Sequence, residues 1–176
     1  MRHSLLLGLT GLTLLLAPAR AEAQWSARLA LEAPLWAGHS TGSLGHGSEF
    51  TIAQSFQPAL DAIGSYFVTD SVGVDLEFRI GIAATGMFAE RQRMTLGPGV
   101  TFDWRSFPLY GRVSFPVQIE DVAVLYLRLG GGLKITDLGF FRVYFELTVD
   151  AALVGNGVSP LGSVAVNAAL GVWFRL

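Results

Sequence analysis

Fourteen charged side chains recur at alternating positions along this 176-residue chain. They are Arg28, Glu32, Asp61, Asp75, Glu77, Arg79, Asp103, Arg112, Arg128, Lys134, Arg142, Glu146, Asp150 and Arg175, seven basic and seven acidic. Facing one another in a confined space, such groups must pair, because an unpaired buried charge keeps several kcal/mol of desolvation cost. Two chemistries follow: a salt-bridged plug, or a narrow hydrated path for ions with no bias of sign. A second set lies close together in sequence: His39 and His46 with Ser40, Ser43, Ser48 and Glu49. A base, a nucleophile and an acid are the residue types of acyl transfer, but that chemistry needs rigid geometry. Gly38, Gly42, Gly45 and Gly47 make this a loop of residue types without evident rigidity. The chain contains no Cys, no HExxH and no phosphate-binding loop; Gly130-Gly131-Gly132 reads as strand packing or bending. The sequence therefore assigns no catalytic residue, no metal site and no cofactor.

Composition narrows the class of scaffold. The chain is 51% hydrophobic and 15% charged, where soluble domains carry about 25% charged residues. A formal charge of −2 supplies no basic patch, which excludes a nucleic-acid partner. Met1-Arg2-His3-Ser4, the apolar run from Leu5 to Ala17, Pro18 and the small-x-small Ala21-Glu22-Ala23 form the three parts of a secretory signal peptide. Residues 1–23 are read as that leader and residues 24–176 as one exported domain. Without Cys, no disulfide can staple it.

The exported part alternates with a period of two, which sends successive side chains to opposite faces of a strand. Eight strands are expected, over 25–36, 56–68, 72–84, 93–104, 109–119, 122–134, 140–152 and 162–176. In the third, Val72, Val74, Leu76, Phe78, Ile80 and Ile82 oppose Gly73, Asp75, Glu77, Arg79 and Gly81. Wherever a strand carries several charges they share one parity, while the other face is uncharged. Strands of this length, tilted by about 40°, span the ~25 Å apolar band of a membrane barrel.

Which face points outward follows from chemistry. An inverted, soluble lipocalin-like barrel would show water a surface rich in Gly and Ala with one Lys. It would also have to enclose more bulky apolar side chains than eight strands can hold. Aromatic residues gather near one end of the strands: Trp25, Tyr66, Phe67, Trp104, Phe107, Tyr110, Phe140, Phe141 and Phe174. Of these, Trp25, Tyr66, Trp104, Tyr110, Phe140 and Phe174 are expected to form an interfacial girdle. The fold class is thus all-β: an eight-stranded antiparallel up-and-down transmembrane β-barrel with a polar lumen.

Connections of 69–71, 105–108 and 135–139 gather at the end carrying both termini, and 37–55, 85–92, 120–121 and 153–161 at the other. Short turns face the periplasm and longer loops the exterior. The first outer loop, 37–55, is expected to be mobile.

The last eight residues, Ala169-Leu170-Gly171-Val172-Trp173-Phe174-Arg175-Leu176, carry Gly171, Phe174 and Leu176 at the positions of a C-terminal assembly signal. Ala169 stands where that signal has a polar residue, and Leu176 where it favours Phe. With this terminus and the strand pattern, residues 24–176 resemble the small bacterial outer-membrane β-barrel proteins of the OmpA/OmpX type. The resemblance implies residence in the outer membrane after export and contact with outer-membrane lipids and lipopolysaccharide. It also implies delivery by the barrel assembly machinery. The expected role is structural or surface-interacting through loop 37–55, with no enzyme activity. A narrow low-conductance channel, a lipid A-modifying enzyme and the soluble ligand-binding barrel are the alternatives. No wall-tethering domain is expected after the last strand.

Overall fold

The computed structural model describes residues 24–40, 48–50, 58–82, 94–104, 106–119, 123–155 and 163–176. The expected leader, residues 1–23, lies outside them. Among the described residues ten strands are present: β1 (Gln24–Ser40), β2 (Ser48–Phe50), β3 (Ala59–Phe67), β4 (Val72–Gly81), β5 (Met94–Asp103), β6 (Leu109–Ser114), β7 (Val117–Gln118), β8 (Val124–Asp137), β9 (Phe141–Gly155) and β10 (Ser163–Arg175). Each pairs antiparallel with its neighbour, and β10 pairs back onto β1 from Ser26↔Arg175 to His39↔Ser163. The sheet is thereby closed. With β6 and β7 forming one interrupted wall strand and β2 a short flap on β1, eight strands make the barrel.

Closure removes the free edges that a lipid environment cannot satisfy. It also turns the period-two pattern into an inside and an outside. Leu29, Leu31, Leu76, Leu129 and Leu170 are exposed on the outer face, whereas Arg28, Glu32, Glu77, Arg128 and Glu146 are buried. The usual soluble arrangement is reversed, so the core of this molecule is its lumen. Register shifts at Pro34/Trp36, Leu125/Tyr126 and Lys134/Thr136 each place one extra residue in a strand of the β1–β10 or β8–β9 pairs. Such bulges sharpen the local bend of a closing sheet.

Four sequence expectations are corrected. The strand expected over 109–119 breaks at Phe115-Pro116, because Pro116 has no N–H to give the ladder. The wall stays continuous through Phe115 N–H donating to the Pro98 carbonyl at 2.9 Å and Tyr126 N–H to the Pro116 carbonyl at 2.9 Å. The turn expected at 135–139 is tighter: β8 runs to Asp137 and the chain reverses over Leu138–Phe140, with Gly139 at φ 87°. That left-handed conformation favours glycine. Loop 37–55 is not wholly loop. β1 continues to Ser40 because β10 runs alongside it, and Gly38–Ser40 pairs with Ser48–Phe50 of β2. Finally, Tyr110 and Phe67 are not girdle residues: Tyr110 is 2% exposed and Phe67 also turns inward. Both share the parity of lumen residues, Tyr110 with Arg112 and Phe67 with Asp61, and parity overrides closeness to the rim.

Candidate functional site: the filled lumen

The inward residues of each strand come from positions two apart, so their height in the barrel is fixed by the register between strands. Pairs such as Asp61↔Arg79, Arg128↔Asp150 and Ala169↔Glu146 set these heights. The result is three layers.

Arg28 of β1 occupies the layer nearer the termini. Its Nη2 donates to Asp75 Oδ2 at 3.0 Å and Thr101 Oγ1 at 2.6 Å, while Thr101 Oγ1 donates to Asp75 Oδ2 at 2.5 Å. The guanidinium carbon lies 4.9 Å from the Trp173 ring centroid and 5.6 Å from that of Tyr110. Among the described residues, Nε and Nη1 of Arg28 have no hydrogen-bond partner. The negative ring faces are what this cation meets instead. Phe67, Trp173, Tyr110 and Tyr144 stack and abut around it, with Tyr110 edge-on to both Trp173 (5.3 Å) and Tyr144 (5.8 Å).

Arg112 of β6 centres the middle layer and reaches three carboxylates. Nε donates to Glu146 Oε1 at 2.5 Å, Nη1 to Glu77 Oε2 at 3.0 Å and Nη2 to Asp61 Oδ2 at 3.2 Å. Tyr110 Oη donates to the other oxygen of Glu146 at 2.5 Å, and Ser114 Oγ to Glu77 Oε2 at 2.7 Å. Glycines make the room: a Cβ on Gly130 would meet Glu146 Oε1 at 2.5 Å, and one on Gly132 would overlap the Tyr110 ring.

Towards the far end, Arg128 grips Asp150 with two parallel bonds, Nε–Oδ1 at 2.5 Å and Nη2–Oδ2 at 2.7 Å, and also bonds Glu77. Arg79 pairs with Glu32 at 2.7 Å and Asp150 at 3.4 Å, and Asn167 Nδ2 donates to Asp150 Oδ2 at 3.1 Å. Bidentate guanidinium–carboxylate pairs are the geometry that best offsets desolvation.

The equal count of signs hides a separation along the axis. Among the described residues, four arginines (28, 79, 112 and 128) share the interior with six carboxylates (32, 61, 75, 77, 146 and 150). At the mouth beside the termini, Lys134, Arg142 and Arg175 surround Asp103, at 2.5, 3.8 and 4.0 Å, and Asp70 lines the same mouth. Among the described residues, Arg28, Glu32 and Glu77 are 0% exposed. A shallow pocket with room for about one water, about 10 Å³, lies at the mouth between Ser26, Phe67, Asp103 and Trp173.

At the rim, Trp25, Trp104 and Phe140 are exposed on the outer face, and Trp25 packs on Tyr66 at 4.9 Å. Phe174 lies 6.3 Å from Phe141, and Leu176 is exposed beyond it. Gly171 points inward, where a Cβ would strike the Leu29 carbonyl, Ala30 and Tyr144, so only glycine fits between β1 and β9. His39 and Glu49 are register partners across β1 and β2, whereas Ser43 and His46 lie outside the described residues. The aromatic shell around Arg28 escaped sequence reasoning. Its signal was present, since Trp173, Tyr144 and Tyr110 all share parity with arginines on their own strands.

No protein-family model and no curated protein matches the sequence. Solved structures similar in shape include two outer-membrane proteins. Neisserial surface protein A is 10% identical, with 88% of this chain and 97% of that one covered and a TM-score of 0.49. Outer membrane protein AlkL, whose structure was obtained by solid-state NMR in DMPC lipid bilayers, is 12% identical, with 91% and 95% covered and a TM-score of 0.51. The closed antiparallel topology and the AlkL likeness together identify the fold as that of the small eight-stranded outer-membrane β-barrels.

Proposed function

We propose that the chain is an integral protein of the bacterial outer membrane. Its lumen is a structural plug, and its work is done at the outer surface rather than through a pore. The observation that carries this reading is the inversion of burial. Leu76 is 58% exposed while its neighbour Glu77 is 0% exposed. A face of Leu, Val and Phe is stable only in lipid, and an interior filled by paired side chains leaves little room for ions. Arginines bonded to two or three carboxylates fix strand register and close the pore. Residues 1–23 are the leader removed after Ala23, and the C-terminal Gly171, Phe174 and Leu176 engage the barrel assembly machinery. The surface role falls to the far-end loops, above all residues 37–55, facing lipopolysaccharide or a surface partner. The paired β1–β2 segment lies at the base of that region.

A heat-modifiability gel on the detergent-extracted outer-membrane fraction tests this reading. A folded band that shifts only on boiling, with no conductance steps in planar bilayers, is expected. Recovery of the protein from the soluble periplasm without a shift overturns the membrane reading. Steady conductance by the shifted, folded protein overturns the plug.

A further inference from the structure

The small recess at the mouth beside the termini holds two polar groups that the fold leaves unsatisfied. Ser26 and Trp173 line it and are 4% and 2% exposed. Their Oγ and Nε1 atoms are buried and have no hydrogen-bond partner among the described residues. An indole N–H can only donate, and a buried donor left without an acceptor is costly. The walls of the recess carry both signs of charge. Arg175 lines it and is the most exposed of the three cations around Asp103; Asp70 and Asp103 line it as well. Lys134 already reaches Asp103 at 2.5 Å, but a carboxylate has about four lone-pair sites and can accept further donors. Trp25 stands at the edge of the recess and is exposed on the outer face, so the recess opens where the lipid-facing wall ends.

We infer that this recess is a binding site for the headgroup of a zwitterionic phospholipid. One phosphoryl oxygen accepts from the Trp173 N–H and the Ser26 hydroxyl, with Arg175 beside the phosphate. The headgroup ammonium stands by Asp70 and Asp103, and the acyl chains run down the outer wall past Trp25. The free space, about 10 Å³, takes one water or one oxygen atom of that size. A water satisfies the two donors but makes no use of the mixed charges or of the opening onto lipid. A phosphoryl oxygen is the stronger acceptor, because its hydrogen bonds are charge-assisted. Free phosphate has the same oxygens, yet it brings no cation to the two carboxylates and no chain to the wall.

This inference rests on the membrane reading above, and the experiment separates the two. The full folded protein in octyl glucoside is isotope-labelled at its indole nitrogens, and the Trp173 N–H resonance is identified by its loss in Trp173→Phe. Dihexanoylphosphatidylethanolamine is then titrated in, with folding of each variant checked by heat-modifiability. A saturating shift of the Trp173 resonance is expected, with binding weakened about tenfold by Ser26→Ala and by Arg175→Gln. Dihexanoylphosphatidylglycerol, which has no ammonium, should bind more weakly. Inorganic phosphate and dihexanoylglycerol should give no saturating shift. An equal response to dihexanoylglycerol, or binding untouched by both substitutions, overturns the headgroup site. Equal affinity for phosphatidylglycerol overturns the zwitterionic choice, and equal affinity for inorganic phosphate overturns lipid as the occupant. Protein that needs detergent but shows no shift with any of these holds only water in the recess, which overturns the site alone. Protein that stays folded and soluble once the detergent is removed overturns the membrane reading itself.

Discussion

Arg28 and Trp173 are register partners across the β1–β10 seam, and the guanidinium of one lies over the indole of the other at 4.9 Å. The first and last strands are thus joined by a side-chain contact inside the barrel as well as by the ladder. From that seam Arg28 reaches across to Asp75 of β4 and Thr101 of β5. Arg28→Ala should cost about 3–5 kcal/mol, because it strands a buried carboxylate. Adding Asp75→Asn should recover part of it. Trp173→Phe keeps a ring under the cation and should cost less than Trp173→Ala. Urea unfolding of refolded protein in vesicles measures these variants and Asp75→Asn alone; single losses that add up to the loss of the double variant would show that the pair is not coupled.

Three consecutive glycines of β8 report the two faces of the wall at single-residue resolution. Gly131 faces outward and a Cβ there would meet nothing within 4 Å, while Gly130 and Gly132 face Glu146, Arg112 and the Tyr110 ring. Gly131→Ala should change stability by no more than about 0.5 kcal/mol. Gly130→Ala and Gly132→Ala should each cost about 1–3 kcal/mol through overpacking. A stability series in vesicles decides it, and a loss confined to Gly131→Ala would reverse the faces.

Excess acid in the buried interior predicts the sign of any leak. Arg112→Ala with Arg128→Ala removes two of the four inner arginines and leaves all six carboxylates. Folded variant protein in planar bilayers should show conductance steps that the parent lacks. The reversal potential in a salt gradient should show preference for cations, since rings of carboxylates favour them. Anion preference would contradict the axial separation of charge.

Much of this was legible because a strand's period is two and lipid tolerates no charge. Asp75, Glu77 and Arg79 fix the inward face of β4 whatever its exact ends. What parity cannot give is height. Asp103 and Asp150 carry the same charge on the same inner face, yet one ends β5 beside the basic mouth and the other lies towards the far end of β9, in the acidic interior. Register is a long-range property, set by pairs such as Arg128↔Asp150 that no local window contains. Aromatic residues were the second difficulty. Trp25 in the girdle and Trp173 in the lumen both lie near the same end of their strands, and only their parity separates them. Reading Tyr110 by its nearness to the rim, against its own strand's alternation, misplaced it. The β1–β2 flap was obscured by its glycines, which lower strand propensity although pairing with β10 carries β1 onward.

The two tyrosines make that distinction measurable. Tyr110 Oη donates to Glu146 Oε2 at 2.5 Å inside the barrel, and its ring is wedged against Tyr144 and Trp173. Tyr66 stands on the outer rim beside Trp25. Tyr110→Phe keeps the ring and removes one hydrogen bond to a buried charge, which is worth about 1.5–3 kcal/mol. Tyr66→Phe leaves an amphipathic rim position apolar and should move stability by about 0.5 kcal/mol or less. Unfolding midpoints of the two variants in the same vesicles, at unchanged denaturant slope, give the comparison directly. A larger loss at Tyr66 than at Tyr110 would return Tyr110 to the girdle and dissolve the aromatic shell around Arg28.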